Sequence, residues 1–154
     1  MSFSISSYED LISKFYKTML TNGNISDIKL GEDKWTLKEM IGHLIDSASN
    51  NHQRFIRLQL QKKLELPGYE AEEWKQISSV DELDYRFLVD FWKSYNEYLI
   101  YIIKSIKQSC LTHVWKSENG EKTLEFLVKD YFEHVKWHID LFEKRVEEIN
   151  KKDN

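Results

Sequence analysis

Near the end of this 154-residue chain, the run Tyr131-Phe132-Glu133-His134-Val135-Lys136-Trp137-His138 places two histidines four residues apart. On a helix that spacing sets both imidazoles on one face, one turn apart, close enough to share a metal ion. Two ligands do not complete a site. Three further histidines, His43, His52 and His113, are the possible sources of a third. The competing reading is a pair that hydrogen-bonds to its neighbours or lies at a rim.

The elements that must position these rings follow from composition and periodicity. With 41% apolar residues, 31% charged residues, five Gly and one Pro, the chain is poor in turn formers and favours long helices. Its length fits one domain, spanning 1–154. A formal net charge of −4 supplies no electrostatic footprint for nucleic acid. The lone Cys110 excludes an intrachain disulfide and a thiolate zinc site and fits a reducing compartment. The first residues lack a basic and apolar leader, and no run has the length to span a bilayer, so a cytoplasmic protein with no membrane partner is expected.

Four helices are expected. The first covers 8–20, with Ser6 and Glu9 as a capping box and Tyr8, Leu11, Ile12, Phe15 and Met19 at helical spacing. The second starts at Thr36, where Glu39 completes another capping box and Trp35 can staple onto Met40, and runs to about 62. Residues 63–79, with Pro67 and Gly68, read as a long crossing that also carries Tyr69, Glu70 and Trp74. The third helix covers 81–108, capped by Ser79 and Glu82, with Phe87, Phe91, Tyr95, Tyr98, Ile102 and Ile106 as its buried face. Asn119-Gly120 suits a short hairpin, and the last helix covers 123–149. Such elements make an all-α four-helix bundle.

At about 100° per residue, His138 falls inside the apolar arc of the last helix and His134 at its edge. His52 lies within the apolar arc of the second helix. His43 lies on a flank shared with Ser47, Asn50 and Arg54. Periodicity alone favours His52 as the inward ring, but an arc edge faces the seam between helices, where bundle sites are built. On this reading His43 and His52 both stay open as the third ligand. His113 sits in a poorly patterned connection and is expected to be exposed.

Several stretches resemble one known family. Trp35-Thr36-Leu37-Lys38-Glu39-Met40-Ile41-Gly42-His43-Leu44-Ile45-Asp46-Ser47 is similar to the opening of helix two in DinB-like proteins, which include YfiT-type metal-dependent hydrolases and thiol transferases. Asn51-His52-Gln53-Arg54-Phe55, the loop Pro67-Gly68-Tyr69-Glu70-Ala71-Glu72-Glu73-Trp74 and the closing His134…His138 pair are similar to later segments, in the same order.

That resemblance implies an up-down-down-up bundle with the long crossing between helices two and three. It also implies a divalent metal held by His43, His134 and His138. Three imidazoles leave coordination positions open, the mark of a catalytic site, and without thiolate ligands Zn, Ni, Mn and Fe all remain suitable. Around the ion, Asp46 is a candidate to orient a ligand, and Asn50, Tyr69 and Trp74 are candidates to touch substrate; each also has an ordinary surface or packing role open to it. Glu133 reads as a solvated charge. The expected function is a metal-dependent small-molecule enzyme, a thiol S-transferase using a low-molecular-weight thiol or a hydrolase. The alternative is a metal-binding or interaction protein without turnover. The resemblance also suggests a homodimer.

Overall fold

Thr36 starts the helix on which the fold is organised. In the computed structural model, which describes residues 4–152, Thr36 Oγ1 accepts from the Glu39 amide at 3.1 Å and the Glu39 carboxylate accepts from the Thr36 amide at 2.8 Å. This reciprocal cap, of a kind worth ~1 kcal/mol, fixes the start of α2 (Leu37–Leu60). The other elements are α1 (Ile5–Thr21), β1 (Lys63–Glu65), α3 (Ala71–Ser78), α4 (Tyr85–Lys104), β2 (Val114–Ser117), β3 (Gly120–Thr123) and α5 (Leu124–Lys152).

Side-chain pairings set the helix directions. Tyr8 stacks on Phe132 with ring centroids 3.7 Å apart, and Phe15 meets Phe142 edge-on at 5.1 Å, so α1 and α5 run parallel. The Tyr85 hydroxyl donates to the Met19 carbonyl at 2.7 Å, and Lys104 pairs with Glu9, so α1 and α4 run antiparallel. Lys38 donates to the Asp81 carbonyl just before α4 begins, and His52 bonds Tyr95 midway along it, so α2 and α4 are parallel. The helices therefore run up, down, down, up. Parallel neighbours cannot be joined by a tight turn, which is why the 63–84 connection must travel the length of the bundle.

That connection is more structured than a loop. β1 pairs in parallel with β2, Leu64 opposite Trp115, because both strands leave the ends of parallel helices. β2 then pairs antiparallel with β3. The hairpin turns through Glu118-Asn119, with Gly120 at φ 112°, a backbone region that glycine enters at little cost. After β1 the chain returns beside α2, forms α3 and reaches Val80, which is buried against Gly42. A Cβ on Gly42 would lie 2.7 Å from both Val80 methyl carbons, so the bare α2 backbone lets the crossing approach.

Several boundaries and faces differ from the sequence expectation. α1 starts at Ile5, which places Ser6 inside the helix, so the Ser6–Glu9 box does not form. α4 starts at Tyr85 and ends at Lys104; its cap is Asp84, whose carboxylate accepts from the Phe87 amide at 2.9 Å, while Ser79 takes the left-handed conformation closing α3. The inward face of α4 is Leu88, Val89, Trp92, Asn96, Leu99 and Ile103, with Ile102 also buried. Phe87, Phe91 and Tyr98 are exposed instead. Two apolar stripes compete on this helix, and the one carrying Trp92 fits the core, where Trp92 packs edge-on against Phe15. Inside, the Tyr131 hydroxyl donates to Asn96 Oδ1 at 2.6 Å and the Asn96 amide donates to the Trp92 carbonyl at 2.8 Å. A fully satisfied buried pair of this kind pins the register of α4 against α5.

Candidate metal centre

α2 and α5 pack antiparallel, with Phe55 against Tyr131 at one level and His43 beside His138 at another. That register carries Ser47 to His134, with Ser47 Oγ 3.5 Å from His134 Nδ1. The helical spacing of His134 and His138 and the seam position of His43 thus bring the Nε2 atoms of all three rings together. His138 Nε2 lies 3.0 Å from His43 Nε2 and 3.0 Å from His134 Nε2, and one nitrogen from each ring falls within 4.8 Å of the others. His43 is buried and the other two are half-buried.

Burial pushes the His43 imidazole pKa down to about 4, with His134 adding to the effect. Burial, then His134 and His43, push His138 down to about 3. Burial lowers His134 as well, against an opposing pull from Asp130. All three rings are therefore neutral near pH 7. Neutral rings presenting lone pairs to one point repel unless protons are shared or a cation sits among them. Two imidazole nitrogens on one ion, at metal–nitrogen distances of about 2.0–2.1 Å, stand roughly 3 Å apart, which matches the two spacings from His138 to its neighbours. The donor set fits a divalent metal on both geometry and charge.

An open cleft of about 430 Å³ leads to the rings. Trp35, Met40, Trp137 and Leu141 give it apolar walls; Lys34, Lys144, Arg145, Asp33 and Glu148 line it with charge. Trp35 stands edge-on to His43 at 5.6 Å and Trp137 to His138 at 4.8 Å. Trp35 is itself held from both sides, donating through Nε1 to Glu72 at 3.1 Å and lying under Lys75. Arg145 donates to the Trp35 carbonyl and pairs with Glu148 at 2.9 Å. These lining residues were not singled out as site residues in the sequence. The signal was the spacing of Leu141, Arg145 and Glu148 after His138, which continues one helical face.

The remaining sequence candidates separate. Tyr69 comes to the site from the crossing, its ring 6.3 Å from His43 and its hydroxyl bonded to Ser47; burial pushes its pKa up to about 12. Trp74 packs on Tyr69 at 5.0 Å but is 39% exposed, so it supports Tyr69 from outside. Asp46 is half-buried beside Tyr69, and burial raises its carboxyl to about 6; no hydrogen bond joins that carboxyl to a histidine among the described residues. Asn50 donates to the Asp46 carbonyl at 2.9 Å, so its amide is used within α2 rather than turned to the histidines. Glu133 is exposed and pairs with Lys136.

The two histidines outside the cluster have ordinary partners. His52 Nδ1 lies 2.9 Å from the Tyr95 hydroxyl. His113 is half-buried rather than exposed, with Nδ1 against the Leu58 carbonyl, because the strand it precedes folds back onto the end of α2.

No protein-family model matches the sequence, and no curated protein matches it. Among solved structures the chain is similar to YfiT from Bacillus subtilis, described as a "probable metal-dependent hydrolase with an unusual four-helix bundle topology". The TM-score is 0.62 at 15% sequence identity, covering 94% of this chain and 90% of that one. The chain has the YfiT-type bundle fold. Among the described residues, no helix is long and apolar enough to cross a membrane.

Proposed function

We propose that this protein is a divalent-metal-dependent small-molecule hydrolase, with His43, His134 and His138 as the ligands. The observation that carries the reading is the convergence of three neutral imidazole nitrogens at the floor of an open cleft. The description of YfiT as a "probable metal-dependent hydrolase" supports the reaction class. A metal bound there supplies Lewis acidity toward water and toward a polarised substrate atom, with coordination positions left open by only three protein ligands.

The chain's own residues then divide the remaining work. Trp35 and Trp137 flank the histidines with aromatic faces that hold an apolar part of the substrate and keep bulk water from the ligands. The Tyr69 phenol, with its pKa near 12, stays protonated through the neutral range and keeps a hydrogen to donate. Asp46, with a carboxyl near 6, can exchange a proton close to neutrality from beside Tyr69. Ser47 steadies His134 from its Nδ1 side, the side by which ligand rings are usually oriented.

Tag-free protein should carry a stoichiometric divalent metal by elemental analysis, and His134→Ala should lose it. Metal-loaded protein should hydrolyse members of an ester and amide panel above the metal-free rate. Turnover only when a low-molecular-weight thiol and an electrophile are supplied would reassign the site to thiol transfer. Metal without turnover in either assay would leave a binding protein, and absence of metal would remove the reading altogether.

A further inference from the structure

Among the described residues, Arg54 is the charged side chain that buries a donor without a hydrogen-bond partner. It is only 8% exposed, and it lies on α2 along the face that continues from His43 through Ser47 and Asn51. Its guanidinium sits 4.0 Å above the Trp115 ring. Its Nε is buried without a hydrogen-bond partner, and Nη1 reaches Asn51 Oδ1 only at 3.4 Å. It forms no ion pair with any described residue. A buried cation with unused donors is costly unless something of opposite charge meets it.

The groups around Arg54 tie it to the histidines. Asp130 is the carboxylate whose charge acts on it, and the Tyr69 phenol, neutral near pH 7, stands nearby. Tyr69 bonds Ser47, which stands against His134, and Asp130 lies one turn before His134 on α5 and acts on that ring too. Asp130 is exposed and is the natural rival as a counter-ion. A single guanidinium with a carboxylate already nearby suits one negative charge on a planar group. A dianion would meet Asp130's repulsion without a second cation to offset it.

We propose that Arg54 is an anion anchor that takes the carboxylate of a small molecule, so that the substrate acted on at the histidines bears a carboxylate. The substrate half of this statement rests on the proposed function; the anion site stands without it. Anion binding and metal dependence can therefore fail separately.

The test is NMR of the arginine Nε–H groups in full-length protein, with chelator present and again after zinc loading. Arg54→Lys assigns the Arg54 cross-peak; if that variant does not fold, Lys variants at Arg57, Arg86 and Arg145 assign it by difference. Titration with acetate and propionate should shift the Arg54 peak saturably in both preparations, and inorganic phosphate should bind more weakly. Asp130→Asn should tighten acetate binding several-fold by removing the competing charge. An unmoved peak in wild type and in Asp130→Asn overturns the proposal. So does weaker acetate binding in Asp130→Asn, which would make Asp130 part of the binding unit, and so does phosphate binding more tightly than acetate, which would displace the carboxylate class.

Discussion

His43 and His52 sit on one helix, and their surroundings are opposite. His52 looks out between α2 and α4, half-buried, with the Tyr95 hydroxyl 2.9 Å from Nδ1 and aromatic rings of Tyr95 and Tyr98 beside it. His43 is buried at the α2–α5 seam, its Nδ1 has no partner, and its Nε2 faces another imidazole nitrogen. Hydrophobic periodicity ranks the two the other way round, because it measures the middle of the buried face. Ligands in a bundle come from the edges of two facing helices, where side chains from both can reach one point. What marks His43 is a nitrogen left without any ordinary hydrogen-bond partner but another ring.

The largest test of that contrast is removal of each ring. His43→Ala should weaken metal binding by more than ~100-fold, beyond the ~10–100-fold typical of changes outside the ligand set, whereas His52→Ala should bind metal as wild type does. Thermal unfolding with and without chelator reads the same contrast. Metal at about 1,000 times its Kd stabilises by ~4 kcal/mol, so wild type and His52→Ala should melt lower in chelator and His43→Ala should not respond. A chelator response kept by His43→Ala and lost by His52→Ala would invert the assignment.

Acid should separate the rings next. His43 and His138 have folded-state pKa values depressed to about 4 and about 3, below the unfolded value of 6.5. The unfolded chain therefore binds more protons between pH 6.5 and about 3, and the metal-free fold loses stability as pH falls through that window. The slope is at most about 1.4 kcal/mol per pH unit for each ring, less where solvent reaches it. Denaturant titrations of metal-free protein should show this slope, with His43→Ala flattening it. Metal occupancy should fall in the same direction, since protons compete for the lone pairs.

What could be read in the sequence was local. The Thr36–Glu39 cap and the His134–His138 spacing each depend on contacts within one turn, and both appear in the structure as expected. The up-down-down-up order came from a resemblance and is carried in the structure by pairs such as Tyr8–Phe132 and His43–His138, which no local pattern encodes. α4 carries two apolar stripes, and of the face expected from periodicity Ile102 and Ile106 are buried while Phe87, Phe91 and Tyr98 stay outside. Phe87 and Phe91 stack on one another outside while Trp92 takes the core, and only the neighbouring helices decide between them. No local pattern marks the elements of the crossing, because its three-residue strand and eight-residue helix are held by partners distant in sequence. Arg54 sat on the correct flank of the helical wheel, but its burial follows from the stacking of Trp115, supplied by β2.

A finer test asks whether the His52 side can be disturbed without touching the metal. Tyr95→Phe removes the hydroxyl that His52 bonds. Because His52 is half-buried, water can replace the lost partner, so the cost should be ~0.5–1.5 kcal/mol with metal affinity unchanged.

Gly42→Ala makes the matching disturbance beside His43. The new methyl would meet the Val80 methyl carbons at 2.7 Å, and a β-branched side chain has little freedom to turn aside. Overpacking of this kind costs ~1–3 kcal/mol, and the better helix propensity of alanine returns about 1. The net loss should be ~0–2 kcal/mol in denaturant unfolding. The decisive readout is metal affinity. The crossing that Val80 anchors also carries Tyr69 to Ser47, and Ser47 stands against His134. If the crossing helps to set the rings, Gly42→Ala should weaken metal binding several-fold while Tyr95→Phe does not. Equal affinity in both variants would mean that α2 and α5 hold the three histidines by themselves, with the crossing acting only as their cover.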